Sequence, residues 1–167
     1  MWKNDYKKKL IVPELTSQKV RELRNSGKKI ATLNGSFDLM HAGHLHIIYE
    51  ASKATDVLIV ALNSDRSIQQ YKSPDRPIVP LEYRLELMAA LAFVDYVTWF
   101  DETDPIRLLE EIRPDVHVNG SPYGSDCIEA ETVRKNGGEL LLVDLVPGLS
   151  TSAIIDKIIR TQNATAR

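Results

Sequence analysis

Cysteine is almost missing from this chain: Cys127 is the only one in 167 residues. A single thiol closes no intrachain disulfide, and no Cys/His spacing of the zinc-ribbon kind accompanies it, so a disulfide scaffold and a zinc module are both excluded. Long apolar runs are missing too. The chain starts with charged residues, and the longest apolar stretch near its start, Leu10 to Val12, is too short for a signal peptide or a membrane span. A soluble cytoplasmic protein is therefore expected. Charge of one sign is equally lacking, because 21 Lys and Arg against 23 Asp and Glu leave a net charge of −2. That balance gives no overall attraction to nucleic acid or to a membrane surface. The one basic patch, Lys3 with Lys7 to Lys9, reads as a solvated tail. No repeat, low-complexity block or linker divides the sequence.

What is present is a regular alternation of strand and helix patterns, with 43% hydrophobic residues to fill one core. Strands are expected at Lys29 to Leu33, Asp56 to Asn63, Asp95 to Phe100, Asp115 to Val118 and Glu139 to Val143. Helices are expected at Ala42 to Ala54, Leu81 to Ala92, Asp104 to Ile112, Ile128 to Lys135 and Thr151 to Ile159. A loop rich in Pro, Asp and Lys spans Gln70 to Pro80, and a helical stretch, Gln18 to Asn25, precedes the first strand. Strands separated by helical crossovers imply an α/β fold: a Rossmann-like, three-layer α/β/α arrangement around a mostly parallel five-stranded sheet. The expected organisation is an N-terminal extension over 1–27, a main domain over 28–160 and a C-terminal tail over 161–167. In such sheets ligands bind at the carboxyl ends of the strands, so the loops after Leu33, Asn63, Val118 and Val143 should converge.

The first of these loops runs Asn34-Gly35-Ser36-Phe37-Asp38-Leu39-Met40-His41-Ala42-Gly43-His44, from a strand into the start of a helix. Outward-pointing N–H groups and the helix dipole favour phosphate there, and Gly43 lets a phosphate approach without a side chain in the way. The spacing of His41 and His44 puts both imidazoles on one helical face, where they can donate to a polyphosphate. Taken alone, the pair is as compatible with a satisfied core histidine, or with a metal site that also recruits His46. No carboxylate stands near it in sequence, and no resident metal is expected. No nucleophile, base and orienting group are spaced for a covalent intermediate either.

The segment Gly35 to His44 resembles the G-x-F-D-x-x-H-x-G-H signature of the cytidylyltransferase-like nucleotidyltransferases. A second element, Gly148-Leu149-Ser150-Thr151-Ser152, is similar to that family's G-x-S-T-[ST] motif at the triphosphate. Between them, Val60 to Asp65, Lys72, Asp75-Arg76-Pro77 and Glu82-Tyr83-Arg84 resemble the adenylyltransferases that form ADP-heptose from heptose 1-phosphate. The resemblance implies transfer of AMP from ATP, with Mg²⁺ on the triphosphate, to a sugar 1-phosphate, in an enzyme that forms a homodimer. It gives catalytic roles to His41, His44 and Lys72. It places Gly35, Ser36, Phe37, Gly43, Arg84, Asn119, Gly120, Ser150 and Thr151 at the nucleotide. Asp38, Asn63, Asp65, Arg76 and Tyr123 fall to the acceptor, with Asp38 open to a magnesium or loop-capping role as well. The sequence departs from the heptose enzymes at Val118-Asn119-Gly120-Ser121-Pro122-Tyr123-Gly124, where those usually carry a lysine before Gly-Gly-Asp-Tyr. The alternatives are a CTP-dependent glycerol 3-phosphate cytidylyltransferase, sharing the first and last motifs, and a nucleotide-binding module without turnover. An NAD-binding oxidoreductase, which can share the sheet, is excluded because no G-x-G-x-x-G follows the first strand.

Overall fold

The computed structural model describes residues 5–165, so Lys3 of the basic patch lies outside the described residues. Five parallel strands make one sheet: β1 (Ile30–Gly35), β2 (Val57–Asn63), β3 (Tyr96–Phe100), β4 (Val116–Gly120) and β5 (Glu139–Val143). Their order is β3-β2-β1-β4-β5. The strand order reverses at β1, so the crevice between the carboxyl ends of β1 and β4 is the place a ligand is expected.

All seven residues of β2 are buried, as its unbroken apolar run requires of a strand covered on both faces. On one face Leu33, Leu58, Val60, Leu62 and Val118 pack under Ile47, Ile48 and Ala51 of α2 (Ala42–Ser52) and Leu85 and Met88 of α4 (Leu81–Ala89). On the other, Ile30, Ile59 and Ala61 pack under Val20 of α1 (Thr16–Asn25) and Leu108 and Ile112 of α5 (Ile106–Ile112). The period-2 alternation of each strand divides the core into these two layers.

The expected helix at Gln18 to Asn25 is α1, which begins earlier and lies against α5. The hydroxyl of Ser17 donates to Glu111 at 2.6 Å. Residues ahead of it extend the sheet edge, where Ile11 N–H donates to Val97 and Val97 N–H to Lys9, both at 2.9 Å. Several helix ends differ from expectation. α4 stops at Ala89, α5 starts after Pro105, which is its N-cap, and α6 (Ala130–Lys135) starts two residues late. The last helix, α7 (Thr151–Thr165), runs through Ile159 into the residues expected to form a tail. A further helix, α3 (Asp65–Tyr71), occupies a stretch where none was expected. The Ser64 hydroxyl caps it by accepting from Ser67 N–H at 3.1 Å.

Candidate active site

At the carboxyl edge of the sheet a cavity of about 560 Å³ opens over β1 and β4. Its floor is the loop from Gly35 to His41. Phe37 takes a positive φ of 45° there, a conformation costly for a bulky side chain and tolerated where the surroundings fix it. Its ring lies where a Cβ on Gly35 would fall, 3.1 Å from Phe37 Cε2, so glycine at 35 is what lets the aromatic fold inward. Phe37 then meets the His44 ring edge-on, with centroids 5.3 Å apart.

His41 is the N-cap of α2 and His44 stands in its first turn, with the two rings stacked at 3.8 Å. Gly43 is again a matter of space: a Cβ there would lie 3.0 Å from the His41 ring and 3.4 Å from Leu149 Cβ. The first turn of α2 therefore sits directly beside the loop that leads into α7. Burial pushes the His44 midpoint down to about 4, reinforced by His41 and Lys72, and burial alone lowers that of His41. Both rings are neutral near pH 7. Each keeps a buried Nδ1 without a protein partner. Ser150 and Thr151 line the same cavity, and the Ser150 hydroxyl accepts from Ala153 N–H as a helix cap.

The opposite wall comes from α3 and the loop after it. Lys72 Nζ donates to Ser36 Oγ at 3.0 Å, and that hydroxyl meets the Tyr71 hydroxyl at 2.5 Å. Burial lowers the Lys72 midpoint, with Arg76 adding to the effect, and burial raises that of Tyr71. Asp38 is buried, with 2% of its surface exposed, and its carboxylate is fully engaged. It takes Arg76 Nε at 2.7 Å and the backbone N–H groups of Ile78 and Val79 at 2.9 and 2.8 Å. Burial alone would raise its midpoint, but those three donors together hold it below the usual carboxylate value. Asp38 is thus the clasp between the floor loop and the 76–79 segment, and both it and Arg76 line the cavity from that clasp.

Arg84 does not line the cavity. Its guanidinium is wholly buried and donates to Asp65 at 2.7 Å, to the carbonyls of Ser36 and Asn63 at 2.6 and 2.9 Å, and through Nε to that of Val79 at 2.9 Å. The expected reach to the phosphates is replaced by a brace beneath the floor, and Asp65 is spent on the same brace. Asn63 lines the cavity and donates to Ser67 Oγ at 3.0 Å. Asn119, Gly120 and Tyr123 line its far side.

Several lining residues carry no motif: Tyr71, Thr103, Asp104, Glu129, Leu145 and Val146. For Tyr71 the neighbouring lysine was the only available signal, and for Glu129 there was none. Among the described residues no group of three His, Cys, Asp or Glu side chains is placed to hold a metal. No helix among them is long and apolar enough to cross a membrane.

A helix start carrying two neutral imidazoles, a second helix start with paired hydroxyls and a lysine line one cavity, an arrangement whose chemistry suits a polyphosphate. The profile of the cytidylyltransferase-like family matches residues 32–160, and the chain belongs to that family of nucleotidyltransferases. A "Bifunctional protein HldE" from Hahella chejuensis is 43% identical over 142 residues, covering 84% of this chain and 30% of that protein. One of the same name from Syntrophotalea carbinolica is 37% identical over 156 residues, covering 93% and 32%. The chain thus spans about a third of the length of these curated relatives. Among solved structures, a lipopolysaccharide core biosynthesis protein from Thermoplasma volcanium superposes with a TM-score of 0.58 at 28% identity, over 72% of this chain and 98% of that one. A pantoate-beta-alanine ligase from Francisella tularensis, at 17% identity and a TM-score of 0.57 over 90% and 79%, shares the fold.

Proposed function

We propose that this chain transfers AMP from ATP to a sugar 1-phosphate, heptose 1-phosphate in the first instance, forming ADP-heptose and pyrophosphate. The observation that carries it is the stacked pair His41 and His44 beside the Ser150 and Thr151 loop, facing Lys72 across one cavity. An oxygen of the acceptor phosphate attacks the α-phosphorus. The bond to the bridging oxygen breaks, and pyrophosphate leaves with that electron pair. The attacking group is already an anion, so no general base is required, and catalysis is positioning and charge stabilisation. His44 and His41 donate N–H groups to phosphate oxygens as charge grows on them, while Lys72 and Arg76 bring positive charge to the phosphates of nucleotide and acceptor. Mg²⁺ enters on the nucleotide as part of the substrate. The sugar acceptor is supported by the resemblance over Val60 to Arg84 and by relatives such as the lipopolysaccharide core biosynthesis protein. Residues 28–160 form the transferase unit in this reading, working in the cytoplasm as a homodimer.

The test is pyrophosphate release with Mg²⁺, offering ATP and CTP separately with heptose 1-phosphate and with glycerol 3-phosphate. Release with ATP and heptose 1-phosphate is expected. Release only with CTP and glycerol 3-phosphate would keep the chemistry and replace both substrates.

A further inference from the structure

Glu129 is a buried carboxylate at the cavity, with 6% of its surface exposed, and the mechanism above does not use it. Among the described residues no Lys, Arg or His pairs with it. Its neighbours are neutral: Asn119 Nδ2 donates to Oε2 at 3.3 Å, and Cys127 lies close enough for the carboxylate to help raise the midpoint of its thiol, after burial. Glu129 holds the N-cap position of α6, yet its side chain makes no capping bond to that helix. A buried carboxylate is costly unless its acceptor sites are filled, and an ionised one offers about four of them. Local structure accounts for only part of that capacity. The remainder faces a cavity.

A phosphate is a poor partner for that capacity, because a carboxylate would repel it. A neutral group rich in O–H or N–H donors fits it. Strand parity says which substrate brings it. Val118 packs in the α2 layer, so its neighbours His117 and Asn119 point to the α5 side, and His117 indeed bonds Thr32, two residues along from Ile30 of that layer. Helices α5 and α6 pack together, which puts Glu129 on the α5 side as well. The two helix starts read here as the pyrophosphate site, those of α2 and α7, adjoin each other on the opposite face. In an in-line displacement the attacking and leaving oxygens lie on opposite sides of the phosphorus. If pyrophosphate leaves toward α2 and α7, the acceptor enters from the α5 and α6 side.

We infer that Glu129, oriented by Asn119, accepts hydrogen bonds from the hydroxyl groups of the acceptor sugar and selects a polyhydroxylated sugar phosphate. Asn119, expected at the nucleotide, moves to the acceptor by the same parity. Asp104 lines the same side at the start of α5, with Oδ1 already accepting from Ile106 N–H. This inference rests on the nucleotidyl-transfer reading proposed above.

The experiment compares the parent with Glu129→Gln, which keeps shape and removes charge, and with Glu129→Ala. Steady-state kinetics are measured separately for ATP and heptose 1-phosphate, alongside calorimetric ATP binding and thermal melting. Losing hydrogen bonds to a charged acceptor should raise KM for the sugar phosphate by about ten- to a hundredfold, with KM and Kd for ATP nearly unchanged. Singly deoxygenated sugar 1-phosphates add a second arm: at least one should be poor for the parent and no worse than the full sugar for Glu129→Gln. A folded Glu129→Gln enzyme with the parental KM for sugar phosphate overturns the inference and leaves nucleotidyl transfer standing. A rise confined to ATP places Glu129 at the nucleoside and also overturns it. If Glu129→Gln fails to fold, the deoxy-sugar series on the parent decides, and equal use of every analogue rejects the role. A parent silent with every sugar phosphate removes the underlying reading and this one with it.

Discussion

Arg84 Nη2 and Asp65 Oδ1 meet at 2.7 Å beneath the phosphate loop, with the arginine side chain fully buried and the aspartate 40% exposed. The same guanidinium ties the carbonyls of Ser36, Asn63 and Val79, so one side chain fixes the floor of the cavity to the end of β2 and to the loop before α4. Removing it leaves three carbonyls without their donor. Arg84→Ala should cost about 3–5 kcal/mol, since each buried acceptor left unsatisfied costs about 1–3 kcal/mol. Arg84→Lys should recover little, because an ammonium lacks the planar fork. Asp65→Asn, at the exposed end, should cost much less. Urea unfolding of the three variants checks the order, and equal losses for Asp65→Asn and Arg84→Ala would show that the carbonyls do not matter.

Lys72 is held through a relay of hydroxyls, with its ammonium donating to Ser36 Oγ and that oxygen bonded to Tyr71. In the proposed reaction the cation acts on the phosphates, whereas Ser36 and Tyr71 fix where it stands. Lys72→Ala should therefore lower kcat/KM by about a hundred- to a thousandfold. Tyr71→Phe removes one neutral hydrogen bond and should cost about two- to tenfold. Steady-state kinetics with ATP give the ranking, and a Tyr71→Phe effect as large as that of Lys72→Ala would put the phenol itself on the substrate.

The two histidines make a prediction about pH. In the free protein His44 should stay neutral down to about pH 4, since burial, His41 and Lys72 all disfavour the imidazolium. A bound triphosphate brings negative charge beside the ring, which stabilises the cation and moves the midpoint upward. NMR titration of the imidazole with and without a non-hydrolysable ATP analogue reads both values. A midpoint that stays put on binding would place the phosphates away from His44. His44→Ala should leave the melting temperature close to the parent's and lower turnover by about a hundredfold or more.

Strand order and core were legible because β2 is an unbroken apolar run, α4 shows apolar spacing after Pro80, and Pro105 marks the start of α5. Helix α3 was not, because Ile68 is its only buried apolar residue and its stability comes from the Ser64 cap and the contacts of Ser67. Within the site, the glycines, the histidine pair and the serine–threonine start of α7 were readable because each lies in one contiguous segment that resembles a family motif. Arg84 and Asp38 were not, since their partners arrive from other segments. An arginine on an amphipathic helix looks solvent-facing until the carbonyls of Ser36, Asn63 and Val79 are brought around it. Glu129 has no signature of any kind, because its meaning depends on which face of β4 carries Asn119.

His117 adds a pH dependence to stability that is separate from catalysis. It is fully buried on β4, with Nδ1 2.8 Å from the Thr32 hydroxyl and Nε2 without a protein partner. Burial lowers its midpoint to about 4, against 6.5 for the free side chain. The unfolded chain therefore takes up a proton on this ring as pH falls through 6.5, while the folded chain resists until about pH 4. Across that window the unfolded state binds more protons, so stability declines as pH falls, by roughly 3 kcal/mol from this group. Above pH 6.5 the contribution is complete, and below 4 it is gone. His117→Asn keeps a polar group for Thr32 but does not titrate, so it should be less stable than the parent at pH 7.5 and show a shallower loss down to pH 4.5. Urea midpoints at both pH values measure the two slopes. His44 is depressed in the same direction, so the variant should keep a residual slope, and a slope equal to the parent's would show that His117 already carries its proton in the folded state.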